Sequence, residues 1–183
     1  MAEVGVDVVK EPVLQPLSGE VFQRRSTGTD PDARLDIRAR GFWGSWLNCT
    51  FFDVRIFNPL AQSNRCTQLA SVYRRHEQAK KHLYEERIRK VERGSFTPLV
   101  FSTTGGASRL TSTFLRHLAS LLAEKHDKPY SATMAWLHCR LSFSLLHSAV
   151  LCMCGSRWTA RRVPTDFAAI DIVPNLVVSQ AHL

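Results

Sequence analysis

Two aspartates in strand-like segments are the side chains best placed to do chemistry. Asp36 lies in an alternating run of apolar and polar residues, and Asp53 lies in a run of aromatic and β-branched residues, with Arg55 two positions on. Because side chains alternate along a strand, Asp53 and Arg55 are predicted to share one face. A neighbouring strand joined by a turn would bring Asp36 beside Asp53, where the two carboxylates repel each other unless a cation relieves them.

The chemistry that such a pair favours is metal-assisted cleavage of a phosphodiester. Mg²⁺ is commonly held by one or two carboxylates and completed by water and substrate phosphate, and Mn²⁺ accepts similar oxygen ligands. With Asp36 and Asp53 as ligands, the metal would activate water, while Arg55 would neutralise the phosphate that is cut. Arg55 stays protonated, so it would bind phosphate without acting as a general base. On spacing alone, the stronger interpretation is a pair of solvent-facing acids matched with nearby arginines.

The elements that must position these residues are predicted from hydrophobic periodicity and turn residues. Two strands carry the aspartates, a long charged helix and a third strand follow, and two helices complete the pattern. The predicted ranges are Ala33 to Ala39, Thr50 to Phe57, Thr67 to Glu92, Phe96 to Phe101, Ser108 or Thr111 to Glu124, and Tyr130 to Met153. A strand–helix–strand crossover implies a parallel strand pair. The sequence therefore predicts an α/β fold with a mixed central β-sheet flanked by helices and a helical C-terminal part.

The remaining segments carry weaker patterns. The apolar piece Val4 to Val9 has the character of the end of an element, and Glu20–Phe22 is a candidate short strand. Arg93-Gly94 is expected to cap the long helix. The second half of the last helix is apolar nearly all round, which predicts that it is buried. Cys139 in this helix is then expected to be an internal thiol, since the Cys and His spacing fits no standard zinc ligand set.

The charge balance favours polyanions as partners. Lys and Arg number 24 against 16 Asp and Glu, a formal net charge of +8, which favours nucleic acid first and an acidic membrane second. The long helix carries half of this excess, and Arg74, Lys80, Lys81 and Arg87 are the candidates for contact with a DNA backbone. The competing interpretation is a solvated helix stabilised by Glu–Arg and Glu–Lys pairs, which taken by itself is slightly favoured.

These residues resemble the PD-(D/E)xK, or restriction-endonuclease-like, nuclease superfamily. In that family one strand carries an acid, the next carries acid-x-Lys, and a preceding helix usually carries a further acid. Asp36 matches the first acid, and Asp53-Val54-Arg55 matches the second motif with Arg in place of Lys. Over roughly Val13 to Arg157, four longer runs are similar to C-terminal domains of animal retroelement reverse-transcriptase polyproteins. These runs are Ala33–Ile37, Phe51–Arg55, Phe96–Phe101 with Gly105-Gly106, and Leu141–Phe143 to Gly155–Arg157.

The resemblance implies a metal-dependent DNA endonuclease-like domain derived from a retroelement, with a restriction-endonuclease-like fold over residues 1–157. Asp36 and Asp53 would bind Mg²⁺ or Mn²⁺, DNA would be the partner, no small-molecule cofactor is implied, and a homodimer is left open. The alternative is a catalytically inactive nucleic-acid-binding remnant. Two departures from the family favour it, namely Arg55 at the lysine position and an expected truncation of the helix that precedes these strands. A third hypothesis, a protein-interaction domain, depends on Trp43 and Trp46.

The compartment is predicted from what the chain lacks. Five cysteines without a C-x-x-C pair are typical of reduced thiols. The first residues show neither a basic nor an apolar leader pattern, and no apolar run reaches the roughly 20 residues that a membrane span needs. We therefore expect a nuclear or cytoplasmic protein that is neither secreted nor membrane-bound, with a poorly ordered tail over residues 158–183.

Overall fold

The structure is a computed structural model that describes residues 6–14, 34–45 and 47–154. In chain order, the described elements are β1 (Val6–Lys10), β2 (Ile37–Arg40), β3 (Cys49–Phe57), α1 (Leu69–Arg87) with a π-helical turn (Ile88–Glu92) directly after it, β4 (Ser95–Ser102), α2 (Arg109–Lys125) and α3 (Tyr130–Cys154). The expected strand at Glu20–Phe22 and the expected tail over 158–183 lie outside the described residues.

The strands form one mixed sheet in the order β1-β2-β3-β4. β1 and β3 each pair antiparallel with β2, whereas β3 and β4 are parallel. Parallel neighbours need a long crossover because a tight turn cannot return the chain to the same end of the sheet, and α1 supplies that crossover. The predicted α/β class, the mixed sheet flanked by helices and the parallel pair are confirmed.

Each face of the sheet has its own cover. Side chains alternate along β3, so Phe51 and Phe52 point to opposite faces. Phe52 belongs to the core cluster that α2 and α3 complete. Phe51 packs with Ile88 of the π-helical turn, and a third cluster joins the sheet to α1 through Val72. The sheet therefore lies between α1 on one face and α2 with α3 on the other.

β1 was not predicted as a strand, because the apolar piece around it was interpreted only as the end of an element. The strand is short and irregular: its register with β2 shifts between Val6 and Val9, and Asp7 has a left-handed backbone with φ of 54°. Asp7 forms ion pairs with Arg38 at 3.2 Å and Arg40 at 3.5 Å on the neighbouring strand. These tertiary contacts hold β1 at the edge of the sheet, and no local pattern in the sequence predicts them.

The helical segment ends at Glu92, at the expected Arg93-Gly94 cap, but the two cap residues have different roles from those usual for such a pair. The regular helix ends at Arg87, and after the π-helical turn it is Arg93, with φ of 50°, that takes the left-handed conformation usually given to glycine. Gly94 is required for another reason. A Cβ built there would lie 2.8 Å from the carbonyl oxygen of Cys49, so only glycine allows this turn to pass so close to β3.

The expectation that the second half of α3 is buried is wrong. α3 packs against α2 along one side through Leu137 and its neighbours, and the opposite side faces solvent. Phe143 and Leu146 are 64% and 60% exposed, and Cys139 is an exposed thiol rather than an internal one. Periodicity identifies an apolar helix but not how many of its sides are covered. Within the described residues, no helix has the length and apolar character that crossing a membrane requires.

Candidate active site between β3 and α1

The two aspartates predicted to meet lie opposite each other across β2 and β3. Ile37 pairs with Phe52 in the antiparallel ladder, so the next position outward sets Asp36 against Asp53. Asp36 is exposed and comes just before β2 begins. Its Oδ2 accepts a hydrogen bond from the Val54 N–H at 2.5 Å, which satisfies a backbone donor of β3 where the partner strand ends. Asp36 therefore has a structural role in addition to any chemical one.

Asp53 is a buried carboxyl on the α1 face of the sheet. Only 6% of the residue is exposed, and burial raises the pKa of Asp53 above its ordinary value, because a desolvated carboxylate is less stable than the neutral acid. Lys80 acts against burial and lowers this pKa through a hydrogen bond and its charge. The negative charge of Asp36 raises the same pKa further, and the positive charge of Arg55 lowers it slightly. The two carboxylates therefore interact electrostatically.

Lys80 reaches this carboxyl from α1, the crossover helix between β3 and β4. Its Nζ lies 2.5 Å from Asp53 Oδ2, and this ion pair sets a positive charge against the buried carboxylate. Nζ also lies 5.6 Å from the centroid of the Tyr84 ring, a cation–π contact. The sequence placed Lys80 among the residues for a DNA backbone. The structure instead brings it into the carboxylate pair.

Arg55 is exposed and lies on the same side of the sheet as Asp53, as period-two geometry requires. Val54 and Ile56, which flank it, line an apolar groove on the α3 side, so Arg55 projects toward α1. Its charge acts on Asp53 and also on His76. A guanidinium at the solvent-exposed margin of a carboxylate pair can bind a phosphate group while Asp53 stays buried.

His76 was not among the predicted site residues, and it lies one helical turn before Lys80 on α1. Burial lowers the pKa of His76 below its ordinary value, and the charges of Arg55 and Arg75 lower it further, which favours the neutral ring. The ring stacks on Phe57 with centroids 4.8 Å apart, and its buried Nε2 has no hydrogen-bond partner among the described residues. The i, i+4 spacing from His76 to Lys80 is the sequence signal that could have placed both on one helix face.

The other basic candidates of α1 are divided by the structure. Arg74 is exposed and Lys81 is half-buried, and their seven-residue spacing puts both on one side of the helix. Arg87 is buried at 4% exposure, so its predicted contact with a DNA backbone does not fit its position. Lys90 forms an i, i+4 ion pair with Glu86 at 2.6 Å, as the solvated-helix interpretation expects.

The tryptophans behind the third hypothesis can be followed only in part, because Trp46 lies outside the described residues. The Trp43 ring stacks on His117 of α2 with centroids 5.0 Å apart, and its Nε1 donates a hydrogen bond to Thr97 Oγ1 at 3.2 Å. Trp43 is thus engaged with neighbouring elements of its own chain, although 36% of it is exposed.

The donor set of the site suits a hard cation. Within the described residues no group of three or more His, Cys, Asp and Glu side chains is arranged around a metal position. Asp36 and Asp53 supply two carboxylates, which is the number that Mg²⁺ commonly takes from a protein when water and phosphate complete its shell. The residues present therefore fit such an ion.

Comparison with known proteins gives no match. No protein-family model matches the chain, and neither a curated protein nor a solved structure matches it significantly. What can be inferred about function therefore depends on the residues and their geometry.

Proposed function

We propose that this chain is a metal-dependent DNA endonuclease-like domain derived from a retroelement, with a restriction-endonuclease-like arrangement of its sheet and site. The observation that carries the proposal is the meeting of Asp36, Asp53 and Lys80 between β3 and α1. Two acids from neighbouring strands and one lysine are the residue types of the PD-(D/E)xK pattern. A mixed sheet covered by helices on both faces is consistent with that fold.

Arg55 stands where the PD-(D/E)xK pattern has a lysine, and in this proposal Lys80 takes the place of that lysine. The pattern places a lysine two residues after the second acid, where this chain has Arg55, and Lys80 brings an ammonium group to that same acid from α1. We assign Lys80 the part of the motif lysine and Arg55 the binding of the phosphate that is cut. This division suits the two side chains, since Lys is a compact donor and Arg binds phosphate oxygens with a planar fork.

The carboxylates of Asp36 and Asp53 would hold Mg²⁺ or Mn²⁺, which when bound supplies an activated water and stabilises charge on the phosphodiester. Side chains of the protein position the water and bind the phosphate. Lys80 leaves the carboxylate of Asp53 and orients the water or the phosphate, while Arg55 binds the phosphate from the exposed margin. Arg74 and Lys81 contact the DNA backbone further along α1.

A second candidate, a catalytically inactive nucleic-acid-binding remnant, is favoured by a specific observation. Both carboxylates already have partners within the protein: Lys80 neutralises Asp53, and Asp36 accepts the Val54 N–H. An ion pair of this kind can stabilise the charge of a buried carboxylate in place of a metal ion. In that case DNA binding would persist without cleavage.

Cleavage of DNA separates the two candidates. We expect the full chain to nick supercoiled plasmid and cut a labelled duplex with Mg²⁺ or Mn²⁺ but not with EDTA. Asp53→Asn should abolish cutting, and Lys80→Ala should slow it by about 10²-fold or more, the usual effect of removing a group that stabilises a transition state. Matched controls are Asp127→Asn and Lys128→Ala, an exposed acid and an exposed lysine between α2 and α3, remote from the site.

Binding measurements complete the test. The remnant would retain a DNA duplex without cutting it, and log affinity would fall with log salt with a slope that drops by about one unit when Arg74 or Lys81 is replaced by Ala. Absence of both cutting and salt-dependent binding would reject both candidates and favour the protein-interaction hypothesis.

A further inference from the structure

The exposed side of α3 carries a regular apolar pattern of its own. Trp136, Cys139, Phe143, Leu146 and Val150 follow one another at spacings of three, four, three and four residues, and we call this set the α3 seam. All five side chains are exposed, including Val150 near the end of the helix at 46%. The side of α3 that packs inward, which includes Leu137, lies on the opposite side of the helix.

The spacing of the α3 seam indicates the kind of surface that covers it. An apolar repeat of alternating three and four residues keeps one line of side chains facing a second helix, because each side chain fits between four residues of the partner. A surface helix that faces only water carries polar and charged residues on its outer side. α3 has 25 residues, and Arg140 is the only Asp, Glu, Lys or Arg in its sequence. Its outer side is therefore built for contact with a helix.

The scarcity of charge in α3 allows the partner helix to come from a second copy of the chain. Two copies that each carry a net charge of +8 repel each other over most of their surfaces. The α3 seam avoids much of this repulsion, since Arg140 is the single Asp, Glu, Lys or Arg of the helix. Arg140 lies against the Trp136 ring of its own chain at 5.2 Å from the centroid, which holds its charge at one end of the seam.

The available area is sufficient for a symmetric pair. A 25-residue helix is about 37 Å long, and the exposed side chains of the seam offer on the order of 500 Å² of apolar surface. Two such surfaces bury about 1,000 Å² in total, which is the lower range of specific interfaces. In a two-fold pair each copy presents the same patch, so no second type of surface is needed.

We propose that the chain forms a homodimer through the α3 seam, with α3 of one copy packed along α3 of the other. This inference is independent of the nuclease proposal, because the seam lies on α3, across the sheet from Asp53 and Lys80. The dimer is in concentration-dependent equilibrium with the monomer, as expected for an interface of this size.

The test is the mass of the full chain in solution, measured by sedimentation velocity and light scattering from about 1 to 100 µM, the range in which an interface of this size dissociates. We expect a mass of two copies at the upper end. Phe143→Asp and Leu146→Asp should each weaken the dimer by at least about 30-fold, the effect of losing a central anchor. Because both side chains are exposed in the monomer, circular dichroism should show the same helix content for both variants.

The matched control is Leu83→Asp, which makes the same change at an exposed leucine of α1 on the other face of the sheet. It should leave the dimer intact. A monomer throughout the concentration range would overturn the proposal. In that case the reaction of Cys139 with iodoacetamide would show whether the seam is open to solvent or covered by another part of the same chain. A dimer that Leu83→Asp dissociates as strongly as Leu146→Asp would overturn the proposal as well.

Discussion

The two faces of the sheet bury different kinds of side chain. On the α2 face, Phe52 lies between Phe42 and Phe114 with ring centroids 5.3 and 5.1 Å away, and the cluster around them is apolar. On the α1 face, the adjacent residue Asp53 is a buried acid, and Lys80 is its ion-pair partner. Burying charge is costly, whereas burying rings is favourable. The α2-face core is therefore purely apolar at this point, whereas the α1 face combines its apolar clusters with a buried acid and its ion-pair partner at the candidate site.

The largest expected effect separates two neighbours in β3. Phe52→Ala should lower the free energy of unfolding by about 3–5 kcal/mol, because it removes a ring from the centre of the α2-face core. Asp53→Asn should lower it by about 1 kcal/mol or less, since the buried charge is itself unfavourable. Urea unfolding followed by circular dichroism measures both. Equal losses for the two variants would show that the α1 face is as structural as the α2 face.

The next effect concerns the ion pair itself. Lys80→Met leaves the Asp53 carboxyl buried without its partner and should cost about 3 kcal/mol. The double variant Asp53→Leu with Lys80→Met should recover that loss or exceed the original stability, because replacing a buried pair with apolar side chains removes its desolvation cost.

Lys81→Met is the control for this pair and should change the free energy of unfolding by no more than about 0.5 kcal/mol. A double variant as unstable as Lys80→Met alone would mean that the Asp53–Lys80 pair holds α1 on the sheet, and the contrast between the faces would lose its basis.

The smallest effect is a dependence on pH. The ordinary pKa of the Asp53 carboxyl is 3.8, and burial raises it in the folded chain. As pH rises from about 4 through the raised value, the unfolded chain has already released a proton that the folded chain still holds, so the free energy of unfolding falls. Asp53→Asn cannot titrate, and the stability of the native chain relative to this variant should therefore decrease over that window.

Taking the difference in unfolding free energy between the native chain and Asp53→Asn also cancels the contribution of His76. That contribution increases with pH, opposite to the contribution of Asp53. The pKa of His76 is lowered on folding, so this residue destabilises the folded chain as pH falls below about 6.5 in both proteins alike. Unfolding curves at half-unit steps from pH 4 to 7 measure the difference. Parallel stability profiles for the native chain and Asp53→Asn would contradict the raised pKa.

Much of the fold could be predicted because its central elements carry strong local signals. β3 and β4 are runs of aromatic and β-branched residues, and α2 begins as a capped helix should, with Ser108 Oγ accepting a hydrogen bond from the Thr111 N–H. β1 escaped prediction because Asp7 and the register shift interrupt its pattern. The exposure of α3 could not be predicted, because a helix that is apolar on two sides has the same sequence pattern as a buried helix.

The candidate site could be predicted only in the part that the strands determine. Antiparallel pairing of two neighbouring strands was enough to expect Asp36 beside Asp53. The approach of Lys80 was not accessible in this way, since α1 has a narrow apolar stripe and only packing on the sheet decides which of its many basic residues turns inward. Arg87 illustrates the same point in reverse, because it is charged yet buried. For a helix so rich in Lys and Arg, residue type does not reveal orientation.

The parallel ladder between β3 and β4 has a consequence for how the chain folds. Thr50 pairs with Ser95 and Phe57 with Ser102, so each rung joins residues about 45 positions apart. Such contacts form slowly, because a long loop must close before any of them stabilises the chain, whereas α2 and α3 meet through neighbouring sequence. The Asp53–Lys80 contact lies inside that loop, because it joins β3 to α1 before β4 begins. The parallel β3–β4 ladder is therefore expected to form later in folding than the local pairing of α2 with α3.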